Sequence, residues 1–283
     1  MNKVRIILDS TCDIMPEDRD KFLTVPLTVH FGDREYLDGV TITHRQFYEK
    51  LVESDLMPKT SQPSPEAFAE VYRQVQAQGD TAVVITVSSG LSGTCQSARI
   101  AAEEVPGVAW VVDSGTVAIA AGILGEYAHR QAETGMTAPE LAAHLEVMKR
   151  KVVVLALLDT LEYLKKGGRL SATAAFAGGL LSIKPVITVK DGGVHVLGRA
   201  RGSRQGNNLL ATEIEKAGGV DFSKPVLLGY TGLSDALLLK YIEDSGALWK
   251  TQVDRLRYTT VGSAIGTHAG PGAIAAAYFR KDN

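Results

Sequence analysis

Ala82-Val83-Val84-Ile85-Thr86-Val87-Ser88-Ser89-Gly90-Leu91-Ser92-Gly93-Thr94 is the stretch that decides the fold class. Its first six residues are apolar or β-branched without alternation, the pattern of a strand covered on both faces. The hydroxyl- and glycine-rich turn behind them ends the run, and a helix is predicted from about Cys95. The same order recurs to either side. Val4-Arg5-Ile6-Ile7-Leu8 ends at Asp9-Ser10-Thr11, and residues 108–112 end at Asp113-Ser114-Gly115 before a helix near Thr116. Strand and helix in alternation predict a mainly parallel sheet with helices on both faces.

Local signals fill the intervals. Residues 22–42 read as extended segments about a Gly32-Asp33 turn. Thr43 and Gln46 form a capping box for a helix through about Ser54. Ser64-Pro65-Glu66 carries a cap, a first-position proline and a first-turn acid. Residues 138–150 read as a further helix.

The texture changes after about residue 150. Residues 152–158 read as a strand, and Asp159 with Glu162 as the cap of a short helix over 161–166 that Gly167-Gly168 ends. Residues 185–189 and 194–197 flank Asp191-Gly192-Gly193, a hairpin signal. A helix over 203–217, a strand over 226–230, a helix near 234–243 and a strand over 257–261 follow, with a last helix expected after Gly270-Pro271-Gly272. The expected fold is α/β: an N-terminal mainly parallel α/β sandwich domain over residues 1–150, followed by a C-terminal α+β domain over 151–283.

The 283 residues are 45% apolar and 22% charged, ordinary for a globular chain with ample core. A net charge of −2 gives no global attraction to nucleic acid or anionic lipid. Cys12 and Cys95 make neither a C-x-x-C pair nor a disulfide framework, and the apolar run before Asp9 is too short for a signal peptide. These features place the protein in the cytoplasm.

Three strands of one parallel sheet would bring Asp-Ser-Thr, Ser-Ser-Gly and Asp-Ser-Gly to a single edge, where open α/β folds take ligands. Thr60-Ser61-Gln62-Pro63-Ser64 is a second hydroxyl-rich turn, read as opening a helix. Free N–H groups, hydroxyl donors and helix N-termini suit a carboxylate or a phosphate. The bland reading is that these residues only cap helices. Ser92, His268 and Asp9 or Asp113 leave open an acyl-ester hydrolase, although Thr94 stands where G-x-S-x-G needs glycine. Gly270-x-Gly272-x-x-Ala275 lacks the context of a dinucleotide fingerprint, but it opens a tight turn beside His268, a potential anion donor. The chain has no P-loop sequence and no H-E-x-x-H zinc motif. Lys165, Lys166 and Arg169, with Arg199, Arg201 and Arg204, make two basic clusters. The neutral balance and 6% aromatic content disfavour DNA as their partner.

Taken jointly, Asp9-Ser10-Thr11-x-Asp13, Thr60-Ser61-Gln62-Pro63, Ser89-Gly90-Leu91-Ser92-Gly93-Thr94, Asp113-Ser114, Leu161-Glu162-Tyr163-Leu164-x-Lys166-Gly167-Gly168-Arg169, Lys184-Pro185 and Thr267-His268-x-Gly270-Pro271-Gly272 resemble the DegV family, the fatty-acid-binding proteins also called FakB. The likeness runs nearly end to end. It implies a two-domain fold that swallows a long-chain fatty acid such as palmitate, stearate or oleate, with no other cofactor. It implies carboxylate binding by Thr60 or Ser61 and by Ser92, with Arg169 and His268 close by, and a phosphate- or partner-facing role for Arg201. It also implies a carrier that is not itself an enzyme, a separate ATP-dependent fatty acid kinase that makes the acyl phosphate, and room for transient membrane contact.

Overall fold

The computed structural model describes residues 3–170, 183–249 and 256–281. Among them the strands form three sheets. The first runs β2 (Leu23–Val25), β1 (Val4–Asp9), β6 (Thr81–Thr86), β7 (Ala109–Asp113), with every neighbouring pair parallel. One face is covered by α2 (Pro65–Ala77) and α3 (Thr94–Glu104), the other by α4 (Ala118–Ala132) and α5 (Ala138–Met148). Alternate strand residues serve the two faces: Ile7 and Val84 join Phe68 and Tyr72 of α2, while Ile6, Leu8 and Val83 join Ile123 and Leu124 of α4. The expected sandwich is present, and three of its strands do end together at the hydroxyl-rich turns.

A three-stranded antiparallel sheet, β4 (Arg34–Leu37), β3 (Thr28–Phe31), β5 (Lys59–Ser61), lies beside it under α1 (His44–Glu53). The Thr43 capping box forms as expected: the Gln46 N–H reaches the Thr43 hydroxyl at 3.2 Å, and the Gln46 side chain returns to the Thr43 N–H at 3.0 Å. The T-S-Q-P stretch differs from expectation. Ser64 caps α2, but Thr60 and Ser61 lie in β5, paired to Val29 and Thr28.

All described strands after residue 150 form one sheet, ordered β10 (Gly193–Arg201), β9 (Ile183–Lys190), β8 (Val152–Leu157), β13 (Ile274–Phe279), β11 (Leu227–Tyr230), β12 (Tyr258–Thr260). All its pairs are antiparallel except β11 with β12. One face packs on α7 (Gly202–Lys216), α8 (Ala236–Asp244) and α9 (Gly246–Trp249) through Leu155, Leu228, Ala276 and Tyr278. The other face packs on α4 through Val154, Leu227, Ala277 and Phe279. Helix α4 is therefore a shared middle layer between the two main sheets. It is made of small residues for that reason. A methyl group at Gly122 would overlap the Asp13 carbonyl, and one at Gly125 would stand 2.9 Å from a Leu8 methyl.

Two elements depart from the sequence reading. The stretch after Gly270-Pro271-Gly272, expected as a helix, is β13, hydrogen-bonded on both edges at the centre of the sheet. Alanine favours helices, but Ala275-Ala276-Ala277 lies between strands on both sides and between covered faces, where small residues let layers approach. The helix sits before the turn: α10 (Ser263–Ala269). The short helix α6 (Glu162–Lys166) forms, but its Glu162 N–H bonds the Thr160 hydroxyl at 3.1 Å, while the Asp159 carboxylate pairs with Lys184.

Gly122→Ala is expected to destabilise the protein by about 2 kcal/mol or more, because α4 has no room to move off the first sheet. Urea unfolding of the variant beside the wild type measures the shift in midpoint.

Candidate functional site

A cavity with about 970 Å³ of free space, counted out into the solvent at its mouth, lies between the C-terminal edge of the parallel sheet and the α4 face of the six-stranded sheet. Its walls are almost wholly apolar: Leu27, Val87 and Leu91 from the first half, Val154, Ile187 and Val194 from the second, with Ala264 and Ile265 of α10. Four polar side chains of the two hydroxyl-rich motifs and the glycine turns, Thr60, Ser92, Arg169 and His268, line the cavity, as do Thr11, Thr188, Tyr230 and Thr231.

Each of the four is placed by an identifiable local feature. Strand alternation turns Thr60 inward, where its hydroxyl lies 3.0 Å from His268 Nε2. Ser61, one residue on, is exposed outside the cavity, with its hydroxyl 2.6 Å from His30 Nε2. Ser92 sits in the turn before α3, its hydroxyl 2.9 Å from that of Thr94. Gly93 opens α3 with no side-chain cap, so first-turn N–H groups point toward this turn. A side chain at Gly93 would overlap Gln62, which donates to the Ser97 hydroxyl at 3.1 Å. That contact joins the two hydroxyl-rich motifs.

In Gly167-Gly168-Arg169 each residue has a separate task. A methyl group at Gly167 would overlap the His268 ring; Gly168 takes φ +70°; Arg169 then donates to the Leu91 carbonyl at 3.1 Å and the Gly167 carbonyl at 2.7 Å. Among the described residues Arg169 has no carboxylate partner. Gly270, at φ +71°, ends α10 and donates back to the Gly266 carbonyl at 2.8 Å.

Burial, then the nearby Arg169 charge, pushes His268 down to about 4. The ring is therefore neutral at pH 7. Its Nδ1 is buried with no hydrogen-bond partner. A bare acceptor costs less there than a stranded N–H, so the proton belongs on Nε2. Nε2–H then donates to Thr60, which frees the Thr60 hydroxyl proton to point into the cavity.

The triad geometry is not assembled. His268 faces Thr60 rather than Ser92, and no carboxylate orients its Nδ1. The Asp9 carboxylate accepts from the Thr11 and Val87 N–H groups, and Asp113 from those of Ser89 and Gly115. Burial raises Asp9 to about 6, and its role is to tie two strand ends together. Arg201 is exposed at the end of the edge strand β10, away from the cavity. Among the described residues no cluster of His, Cys, Asp or Glu is arranged to hold a metal, and no helix is long and apolar enough to cross a membrane.

Sequence reasoning missed Asp38, whose carboxylate accepts from the Ser263 and Ala264 N–H groups at 3.0 and 3.2 Å and so seats α10. Its only local signal is an acid in a Leu37-Asp38-Gly39 turn. It also missed Thr94, Gln62 and Gly167 as supports of the polar cluster, although all three lie inside or beside quoted motifs.

The model of the DegV family, described as an uncharacterised protein family, matches residues 3–281. The chain belongs to the DegV family. A DegV domain-containing protein of Caldanaerobacter subterraneus is 33% identical over 99% of this chain and all of that one. The solved structure of a fatty-acid-binding DegV protein from Thermus thermophilus superposes with TM-score 0.87 at 32% identity, covering 98% of this chain and 99% of its own. A stearic-acid-binding protein from Eubacterium ventriosum gives TM-score 0.83 at 28% identity, covering 99% of both chains.

The His268 ring is expected to stay neutral as pH falls well below the ordinary histidine range. Unfolded, the group titrates near 6.5; folded, near 4. Between those values the unfolded chain holds a proton the folded chain lacks, so this contribution to stability is complete above 6.5 and is lost on acidification toward 4. Asp9, raised from 3.8 to about 6, acts in the opposite sense over an overlapping window. A site-resolved method is therefore required: imidazole nitrogen shifts in an NMR titration should show one neutral tautomer down to about pH 5. A midpoint at or above the ordinary value would refute the desolvated placement.

Proposed function

We propose that the protein binds a long-chain fatty acid, burying the acyl chain in the cavity and holding the carboxylate at Thr60, Ser92 and Arg169, with His268 acting through Thr60. One observation carries the reading: a largely apolar cavity lined by Thr60, Ser92 and His268 beside an arginine that has no carboxylate partner among the described residues. Burying about fifteen methylenes is worth roughly 12 kcal/mol gross at ~0.8 kcal/mol each. Ordering and association costs remove much of it. A carboxylate buried unpaired would lose several kcal/mol more, and the hydroxyls, the Thr60–His268 relay and the Arg169 charge meet that need. The fatty-acid-binding relatives of Thermus thermophilus and Eubacterium ventriosum support the ligand class.

The protein acts as a carrier, with no chemistry of its own on the lipid. A separate ATP-dependent fatty acid kinase phosphorylates the presented carboxylate to an acyl phosphate, and the exposed Arg201 faces that partner or the phosphate. Loading and unloading involve transient contact with a membrane, and the protein works in the cytoplasm. The domain division at about residue 150 fits this role, since the cavity draws its walls from both sides of it.

Thr60→Val with Ser92→Ala is expected to weaken fatty-acid binding by about a hundredfold or more, at roughly 1.5–3 kcal/mol for each hydrogen bond to a charged group. Calorimetric titration of delipidated protein checks this, and undiminished affinity would remove the assigned head-group site. Arg201→Ala should leave affinity within about twofold while lowering kinase-coupled phosphorylation, because rim charges act mainly on association. Equal loss in binding and in phosphorylation would make Arg201 a head-group ligand.

A further inference from the structure

The cavity has a direction that its polar cluster alone does not give. The middle row of its floor on the six-stranded sheet, flanked by Val154 and Val189 on one side and Leu158 and Ala273 on the other, is in register across four strands: Ile187–Ala156–Ala275–Gly229, running from β9 through β8 and β13 to β11. Three inter-strand steps make this floor about 14 Å long. Its β9 end adjoins the polar cluster: Ile187 packs with Leu164 of α6, Leu91 and Ala269, the neighbours of Arg169 and His268. Val261 lines the cavity at the Gly229 end. A Cβ built on Gly229 would stand 3.1 Å from a Val261 methyl and 3.2 Å from an Ile119 methyl. Glycine at this strand position therefore lets both methyls sink onto the backbone, which sets the wall back from the ligand space. Helix α10, which begins two residues after Val261, carries His268 in its last turn, and both residues line the cavity.

We infer that the acyl chain lies across the strands along this row, and that the Val261 wall seated on Gly229 sets the longest chain the protein accepts. This rests on the fatty-acid reading and adds to it a named determinant of chain length. A larger side chain at 229 drives the wall into the ligand space and shortens it. A smaller one at 261 opens the far end and lengthens it. Both changes leave the head-group residues untouched.

The test is the affinity of the delipidated full-length protein for a straight saturated series from dodecanoic to eicosanoic acid. Gly229→Val should lose about tenfold or more on the longest acid the wild type binds, the worth of one or two buried methylenes, while keeping the shortest within about twofold. Val261→Ala should move the optimum up by one or two carbons. Should Gly229→Val fail to fold, the direction of the Val261→Ala shift decides alone. A parallel change at every chain length, or an unmoved optimum in Val261→Ala, overturns the assignment of the wall while leaving fatty-acid binding standing. A wild type that binds no acid of the series overturns the lipid reading itself, and the wall with it.

Discussion

Two buried carboxylates hold the cavity open at the right shape. Asp13 and Asp38 come from the first half of the chain and accept hydrogen bonds from the first N–H groups of the segment that begins α10: Gly262 to Asp13 at 2.7 Å, Ser263 and Ala264 to Asp38. Burial, and the Asp38 charge beside it, push Asp13 well above the usual carboxylate range. Such a pair is costly to bury, and the helix-start donors are what offset the cost. Gly262 admits both carboxylates, since a Cβ there would stand 3.0 Å from Asp13 Oδ1 and 3.5 Å from Asp38 Oδ2. The Tyr48 hydroxyl adds a bond to the Val261 carbonyl at 2.9 Å. Helix α10 cannot shift without breaking these bonds, and it carries His268 at one end and follows Val261 at the other. The head-group cluster and the far wall are thereby positioned by one anchored element.

The space itself follows from layer packing. Helix α4 is thin enough, through Ala120, Ala121, Gly122 and Gly125, for the parallel sheet and the six-stranded sheet to share it as a common core. Beyond its N-terminus, where Val117 and Ala118 line the cavity, the seven residues of α10 lie along the gap between the sheets. The hairpin tip closes one flank. The Ser88 hydroxyl donates to the Gly192 carbonyl at 2.9 Å, and a methyl at Gly90 would press on that carbonyl. The result is an interior void bounded by side chains that are themselves well packed on their far sides.

Most of this architecture is written in local patterns. The apolar runs ending at Asp9, Thr86 and Asp113 foretell the parallel sheet because β–turn–α alternation leaves little topological choice. The caps at Thr43 and Ser64 and the Asp191-Gly192 hairpin are legible because their chemistry is complete within a few residues. What stays illegible depends on partners distant in sequence. Ala275-Ala276-Ala277 has helical propensity and becomes a strand only because β8 and β11 flank it. Nothing near Asp38 reveals a partner 225 residues away. Thr60 and Ser61 are equivalent as letters, and only the pairing of β5 with β3 decides which of them faces the cavity.

The chemistry of the polar cluster also bears on how firmly a ligand is held. A lysine paired tightly to a carboxylate in a dry pocket would fix it strongly, because Coulomb attraction grows as the effective dielectric constant falls. Here the donors nearest the cavity are hydroxyls backed by an imidazole that burial keeps neutral, and the one full charge, Arg169, is already engaged with two main-chain carbonyls. Hydroxyl donors satisfy a carboxylate without neutralising it. A site that holds by the tail and only steadies the head is suited to a ligand that is loaded and given up again.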